Sequence, residues 1–232
     1  MSDDKELIQH QIEYYRARAA EYDQWVNREF RYDRGEEQKK RWMAARKDME
    51  KALADVHPSG DILELACGTG FWTVHLIPFA TRLTAVDVSP EMIEINRQKF
   101  KDTQIEYIEA DLFSWRPSSK FDFIFFSFWL SHVPASHFDS FWEMVRGALK
   151  PGGRAFFIDS LMTQESTAIN HAQLEKDGKA KRKLNDGSEY EIVKHFYDPA
   201  KLEQRLQGRG WTGHVKTTGE FFLYGCLSDS KK

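Results

Sequence analysis

The stretch Ile62-Leu63-Glu64-Leu65-Ala66-Cys67-Gly68-Thr69-Gly70 decides the fold of this chain. An apolar run containing one carboxylate passes directly into a loop of small residues, which predicts a buried strand, a tight turn and a helix beginning near Phe71. Gly68 and Gly70 lack the Cβ atoms that would keep a ligand away from the backbone. The loop amides and the helix N-terminus would face a crevice at the carboxyl end of the strand. We therefore expect a flat, polar ligand there, of the nucleoside type.

The spacing of the glycines distinguishes between the classes of nucleotide that this loop could bind. A dinucleotide site carries G-x-G-x-x-G, and the segment Gly68–Thr73 lacks the third glycine. The chain also contains no G-x-x-x-x-G-K-[ST] motif for a triphosphate. An acidic residue followed by small-x-Gly-x-Gly resembles motif I of the class I S-adenosylmethionine-dependent methyltransferases, [D/E]-x-G-x-G-x-G, with Ala66 at the first glycine. A strand-to-helix turn without a ligand is the alternative on this stretch alone.

Composition limits the classes of protein to consider. The chain has 232 residues, of which 41% are hydrophobic and 14% aromatic, enough for one α/β domain with a sizeable core. A net charge of −3 does not indicate the excess of basic residues that a nucleic-acid-binding protein usually carries. The two cysteines, Cys67 and Cys226, predict no disulfide and a reducing compartment. No apolar run reaches transmembrane length, so we expect a cytoplasmic protein without a membrane partner.

Acidic residues also follow the next two predicted strands. Asp87 lies at the end of the second strand, and Asp111 follows the third. A carboxylate at Asp87 can accept hydrogen bonds from both ribose hydroxyls, a device that NAD enzymes share. The alternative for Asp87 is a capping or turn aspartate. Together with Glu64, three acids at three successive strand ends favour a nucleoside site.

The resemblance to the methyltransferase family implies roles at these strand ends. In that family, residues matching Val88 and Met92 pack on the adenine, and residues matching Asp111 and Leu112 contact its polar edge. The backbone at Ser127 would receive the methionine ammonium. The cofactor site implied in this core is formed by Glu64, Ala66, Gly68, Gly70, Asp87, Val88, Met92, Asp111, Leu112 and Ser127.

The N-terminal segment is predicted to be helical over residues 5–28. Its Y-x-x-x-A-x-x-Y-D pattern resembles the segment that covers the cofactor in many small-molecule methyltransferases, which implies this role for Tyr14 and Tyr22. A second predicted helix, over 36–56, carries Arg41, which could clamp the carboxylate of the methionine moiety. The alternative for Arg41 is a solvated helix face.

The segment after the fourth strand is the predicted place of methyl transfer. Trp129 could form a wall of the transfer pocket, and His132 is the titratable group that could serve as a general base. The alternative for His132 is a structural histidine. The pattern around Asp186-Gly187 predicts a hairpin, followed by His195 as a substrate-side residue and second base candidate. We interpret the basic segment 179–183 as a solvated arm of that hairpin.

The predicted fold is α/β, a Rossmann-like seven-stranded and mostly parallel sheet with an antiparallel last strand and helices on both faces. The resemblance implies the strand order 3-2-1-4-5-7-6. We expect a single domain over 1–232. Its parts are an N-terminal helical lid (1–57), a cofactor-binding core (58–160), a substrate-side insertion with a hairpin (161–197) and a closing helix with strands (198–232).

The resemblance implies S-adenosylmethionine-dependent methyl transfer to a small-molecule acceptor, with S-adenosylhomocysteine as product. O-methylation of a hydroxyl or carboxylate is the favoured reaction. N-, S- or C-methylation, an RNA or protein acceptor, and a cofactor-binding module without turnover are the alternatives. No cluster of residues in the sequence suggests a metal site. The sequence leaves the acceptor and the oligomeric state, monomer or homodimer, open.

Overall fold

A seven-stranded mixed sheet forms the centre of the molecule. The computed structural model describes residues 2–169 and 178–230, so the part of the expected insertion at 170–177 lies outside the described residues. In chain order the strands are β1 (Gly60–Leu65), β2 (Ala80–Asp87), β3 (Ile105–Glu109), β4 (Phe121–Ser127), β5 (Leu149–Ser160), β6 (Lys179–Lys183), β7 (Glu189–Val193), β8 (Trp211–Thr218) and β9 (Phe222–Asp229). The sheet order is β3-β2-β1-β4-β5-β9-β8, and β6 pairs with β7 as a separate hairpin.

The predicted topology is confirmed. Strands β1 to β5 are parallel, whereas β9 runs antiparallel to both β5 and β8. The carboxyl ends of β1, β2 and β4 therefore lie at one edge of the sheet, where the glycine loop and the acidic residues meet. The hairpin predicted around Asp186-Gly187 is also confirmed.

Seven α-helices surround the sheet in the described part of the chain. They are α1 (Ser2–Arg18), α2 (Tyr22–Asn27), α3 (Glu36–Asp55), α4 (Thr73–Leu76), α5 (Pro90–Lys99), α6 (Phe138–Ala148) and α7 (Pro199–Gln207). The helix predicted over 5–28 is interrupted by a 3₁₀ turn at Ala19–Glu21. The helix predicted after the glycine loop is a single α-turn followed by the 3₁₀ turn Ile77–Phe79, where Pro78 supplies no amide donor to continue the α pattern. Among the helices described here, none is long and apolar enough to cross a membrane.

Aromatic side chains fill both faces of the sheet. On β4, Phe123 and Phe125 pack on the face covered by Trp42 of α3, whereas Phe126 packs on the opposite face against Trp142 of α6. All of these side chains are buried. Burial of both faces explains why β4 reads as a continuous apolar run.

A glycine in β9 makes room for one of these aromatic rings. A Cβ on Gly225 would lie 2.5 Å from the ring of Phe157, which is fully buried and has no space to move. We expect Gly225→Ala to lower the free energy of unfolding in urea by about 1–3 kcal/mol. Gly147→Ala is the matched control: its Cβ would meet nothing within 4 Å in α6, so it should stabilise by about 0.5–1 kcal/mol. Equal stability of Gly225→Ala and wild type would contradict this packing.

The N-terminal helices cover the carboxyl edge of the sheet. α1 packs against β7 of the hairpin. Arg16 of α1 forms a bidentate ion pair with Glu91 of α5, at 3.0–3.2 Å. Asp23 of α2 accepts hydrogen bonds from the Thr69 hydroxyl at 2.5 Å and from Lys99 Nζ at 2.6 Å. Hydrogen bonds and ion pairs thus hold α1 and α2 against the glycine loop and α5.

Candidate active site

The loop after β1 adopts a left-handed backbone at three positions. Ala66, Gly68 and Gly70 have φ values of +52°, +53° and +86°. Alanine at the first position carries a steric cost that glycine would avoid. A Cβ on Gly70 would lie 2.7 Å from Asn96 Oδ1, whereas one on Gly68 would meet nothing within 4 Å. Gly70 therefore allows close packing of the loop on α5, and Gly68 leaves the loop surface open to a ligand.

Asp87 is fixed by backbone amides at the end of β2. Its Oδ2 accepts from Gly68 N at 2.8 Å, and its Oδ1 accepts from Ser89 N at 2.9 Å. Burial raises the pKa of this carboxyl, and the backbone amides counteract the rise. Asp87 therefore joins the loops after β1 and β2 and presents a held carboxyl group at their junction.

Glu64 has a supporting position. It is 1% exposed and accepts a hydrogen bond from the Thr73 hydroxyl at 2.7 Å. Burial raises its pKa to about 8, and the negative charge of Asp87 adds to the rise. Glu64 ties β1 to the first turn of α4 and lines neither of the two cavities described below.

The loops after β1, β2, β3 and β4 enclose a cavity of about 640 Å³, here called the apolar cavity. α1 and α2 close it from above. The structure brings eleven of the predicted site residues together around it: Tyr22, Ala66, Gly68, Asp87, Val88, Met92, Asp111, Leu112, Ser127, Trp129 and His132. The open glycine loop and the held carboxyl of Asp87 fit S-adenosylmethionine.

Five predicted site residues do not line this cavity. Gly70 and Glu64 support the loop, as described above. Tyr14 is buried beside a second cavity. Arg41 is exposed on α3 and forms ion pairs with Glu165 and Glu220. The remaining residue, His195, donates its backbone N–H to Ser131 O at 2.8 Å, and its ring lies against Gly178.

The second cavity, here called the cationic cavity, has a volume of about 530 Å³. Arg18, Arg182 and Lys194 point into it, and four tyrosines line it: Tyr14, Tyr15, Tyr22 and Tyr32. Arg18 and Arg182 are each 7% exposed. Arg18 donates to the Tyr32 hydroxyl at 3.2 Å and Arg182 to the Lys181 carbonyl at 3.0 Å. Within residues 2–169 and 178–230, neither guanidinium forms an ion pair with a carboxylate.

Lys194 is the third cation of this cavity. Its Nζ donates to the Ser131 hydroxyl at 2.7 Å and lies 3.9 Å from Asp159 Oδ1. Burial lowers its pKa to about 8, and Asp159 counteracts the fall. Asp159 also accepts from Ser131 N and Ser160 N, both at 2.7 Å. Among the described residues, Lys194 thus has a carboxylate nearby and the two guanidinium groups have none, so the cationic cavity holds an excess of positive charge.

The sequence interpretation missed these cations. The interpretation of the basic segment 179–183 as a solvated arm is wrong for Arg182, which is buried. The strand alternates, so Ala180 and Arg182 face inward while Lys181 and Lys183 face solvent. The alternation of Ala180, Arg182 and Leu184 was the available signal, because it places an arginine on the apolar side of the strand.

Tyr15, Tyr22, Phe128 and His132 line both cavities and form the wall between them. Phe128 has φ +52°, a conformation that costs free energy in a residue with a side chain. Its ring packs edge-on against Trp25, with the ring centroids 4.7 Å apart. His132 is 5% exposed, with Nδ1 2.7 Å from Val193 O and Nε2 2.8 Å from the Tyr15 hydroxyl oxygen. Within the described ranges, no group of three or more His, Cys, Asp or Glu side chains is arranged to hold a metal ion.

Comparison with known proteins gives a consistent result. Residues 62–153 match the family model described as a methyltransferase domain. The solved structure of DhpI with SAM and HEP is 38% identical, with a TM-score of 0.79, and the match covers 96% of this chain and 97% of DhpI. DhpI has also been solved with SAH, in a structure that is 36% identical, with a TM-score of 0.77 and coverage of 97% of this chain and 98% of that one.

Curated relatives match over shorter stretches. The malonyl-[acyl-carrier protein] O-methyltransferase of Anoxybacillus flavithermus is 34% identical over 113 residues, 47% of this chain and 36% of the relative. The demethylmenaquinone methyltransferase of Bacillus licheniformis is 30% identical over 128 residues, 53% of each protein. The chain thus spans only about a third to a half of these relatives.

Proposed function

Because the chain belongs to the class I S-adenosylmethionine-dependent methyltransferases, we propose that it methylates an oxygen atom of a small acceptor that carries an anionic group. The observation that supports this is the cationic cavity, which shares a wall with the apolar cavity. S-adenosylmethionine supplies a methyl group already activated by its sulfonium. The chain itself has to orient the acceptor and exclude water.

The apolar cavity holds the cofactor in this proposal. Asp87 accepts hydrogen bonds from the ribose hydroxyls, and Val88 and Met92 pack on the adenine. Asp111 and Leu112 contact the polar edge of the base. The cover formed by α1 and α2 closes over them through Tyr15 and Tyr22, which line the cavity from the opposite side.

The cationic cavity recognises the anionic group of the acceptor. Arg18 and Arg182 are buried and lack a described carboxylate partner, so a neutral acceptor would leave their charges uncompensated. Guanidinium groups suit carboxylate and phosphate oxygens because they donate two parallel hydrogen bonds. The anion would place the reacting oxygen near the shared wall of Tyr15 and His132.

Methylation of nitrogen, sulfur or carbon is the competing reaction class. The curated relatives include an O-methyltransferase of malonyl-[acyl-carrier protein] and a methyltransferase of demethylmenaquinone, so the family resemblance alone does not select oxygen. The excess positive charge favours an acidic acceptor over an amine, which would be a cation at neutral pH. A cofactor-binding module without turnover has no need of a second, charged cavity.

The proposal is tested by calorimetry followed by a turnover screen. We expect micromolar binding of both S-adenosylmethionine and S-adenosylhomocysteine. We then expect S-adenosylhomocysteine to accumulate with small hydroxy acids, carboxylic acids or phosphate monoesters, with the methyl group on oxygen by mass spectrometry. Absence of cofactor binding by folded protein would reject the apolar cavity as the cofactor site. Turnover restricted to amines or thiols would reject the acceptor class.

A further inference from the structure

We propose that Tyr15 takes the proton from the reacting oxygen of the acceptor and that His132, behind it, is the final proton acceptor. This inference rests on the proposed function and assigns the chemistry of its shared wall. It makes Tyr15 a catalytic residue, although the sequence pattern pointed to Tyr14 and Tyr22 instead.

The hydrogen bonds of His132 define its protonation state. A backbone carbonyl can only accept, so the 2.7 Å contact with Val193 O requires the proton to be on Nδ1. Burial lowers the pKa of His132 well below its usual value, and the positive charge of Lys194 adds to the fall. The ring is therefore neutral, with an unprotonated Nε2 that accepts from the Tyr15 hydroxyl at 2.8 Å.

This arrangement makes the Tyr15 hydroxyl the route to His132. The Nε2 atom has a single lone pair, and Tyr15 occupies it. Tyr15 itself lines both cavities, so its oxygen can meet an acceptor that reaches from the cationic cavity towards the cofactor. A proton leaving that acceptor would reach Nε2 through the hydroxyl of Tyr15.

Gln11 is a positioning residue for this pair. It is 2% exposed, and its side chain donates to His132 O at 3.1 Å and accepts from Val193 N at 3.2 Å. It lies one helical turn before Tyr15 in α1. The packing of α1 therefore places Tyr15 next to His132. Through Gln11 it also fixes β7, whose Val193 carbonyl accepts from Nδ1 of His132.

The proton balance of the step is as follows. The O–H bond of the acceptor breaks, its proton moves to Tyr15 Oη, and the original Tyr15 proton moves to His132 Nε2. The acceptor oxygen keeps the electron pair for its bond to the methyl carbon. His132 becomes an imidazolium that keeps Nδ1–H on Val193 O, and it returns its proton to water when the product leaves.

The electrostatics of the wall suit a relay of this kind. Burial raises the pKa of Tyr15 well above its usual value, so a tyrosinate here would be costly. In the relay Tyr15 gains one proton as it gives up another, and it therefore remains a neutral phenol. Lys194, Arg182 and Arg18 face His132 and lower its basicity. A bound anion would offset these charges and raise the basicity of His132 once the acceptor is in place.

The experiment uses nitrogen NMR of histidine-labelled protein saturated with S-adenosylhomocysteine. Inorganic phosphate is the probe, at mildly acidic pH where it retains a second proton. In wild type, both ring nitrogens of His132 should change to imidazolium shifts when phosphate binds. In Tyr15→Phe, phosphate affinity should change less than about tenfold, and His132 should still become an imidazolium, because water can supply the proton at equilibrium. Tyr190→Phe is the matched control, since Tyr190 packs on Tyr14 without facing His132, and it should behave like wild type.

Turnover gives the second measurement, with a hydroxy-acid acceptor from the screen, in which the reacting oxygen carries a proton. Tyr15→Phe should lower kcat by about 10²–10⁴ with little change in KM. A neutral His132 in wild type with phosphate bound, or an unchanged kcat in Tyr15→Phe, would overturn the relay and leave the proposed function standing. Failure of phosphate to bind wild type would instead overturn the cationic cavity as an anion site, and the relay with it.

Discussion

Replacing Asp87 with alanine should weaken S-adenosylmethionine binding by about 100-fold or more. In the proposed site its carboxylate accepts hydrogen bonds from two ribose hydroxyls, and hydrogen bonds to charged groups contribute about 1.5–3 kcal/mol each. The same carboxylate holds Gly68 N and Ser89 N, so its loss also loosens the glycine loop. Calorimetric titration of each variant with S-adenosylmethionine gives the measurement.

Two further variants separate ribose binding from loop support. Asp87→Asn keeps the size of the side chain, but its NH₂ group cannot accept, so it should lose at least tenfold in affinity. Glu109→Ala removes an exposed carboxylate from the position that pairs with Asp87 on β3, and it should bind as wild type does. An Asp87→Ala protein that is folded and binds within threefold of wild type would refute the ribose assignment.

The apolar cavity was predictable from sequence because most of its lining residues follow the parallel strands of the sheet. Asp87 ends β2 and Asp111 follows β3, and parallel strands bring such positions to one edge of the sheet. The positions of these acidic residues along the sequence were therefore enough to predict where the apolar cavity lies.

The cationic cavity was not predictable in the same way. It forms where α1 meets the hairpin, between residues more than 150 positions apart, such as Arg18 and Arg182. The residues of the 3₁₀ turn at Ala19–Glu21 are good α-helix formers, so the local sequence did not predict an interruption of the helix there. Long-range contacts of Glu21 hold it instead: Glu21 pairs with Arg31 at 2.6 Å and accepts from Asn185 N at 3.2 Å.

The choice between Tyr14 and Tyr15 shows the limit of a motif. Neighbouring residues on an α-helix point about 100° apart, so a shift of one position decides whether a side chain reaches the apolar cavity: Tyr15 lines both cavities, and Tyr14 lines only the cationic one. Tyr14 contacts Tyr190 of the hairpin, whereas Tyr15 faces His132. The family pattern located the covering helix but did not determine its rotation.

Removing one cation from the cationic cavity should weaken anion binding by about 10- to 150-fold, the loss expected for a charged hydrogen bond of about 1.5–3 kcal/mol. Sulfate is the probe, because it stays a dianion across the pH range. Arg182→Met should show this loss, and Lys181→Met should not, since Lys181 is the exposed neighbour on the same strand. Equal sulfate affinity in Arg182→Met and Lys181→Met would show that the cavity does not bind anions.

The pH dependence of sulfate binding should identify Lys194 within the cavity. Its pKa is lowered to about 8, so it is a cation below that pH and neutral above it. Arg182 and Arg18 keep their charge throughout, and His132 is neutral across this range. Sulfate affinity should therefore fall as pH rises through about 8 or somewhat higher, because a bound anion favours protonated Lys194. Lys194→Met should bind more weakly and without this step, whereas a step that persists in Lys194→Met would assign the titration to another group.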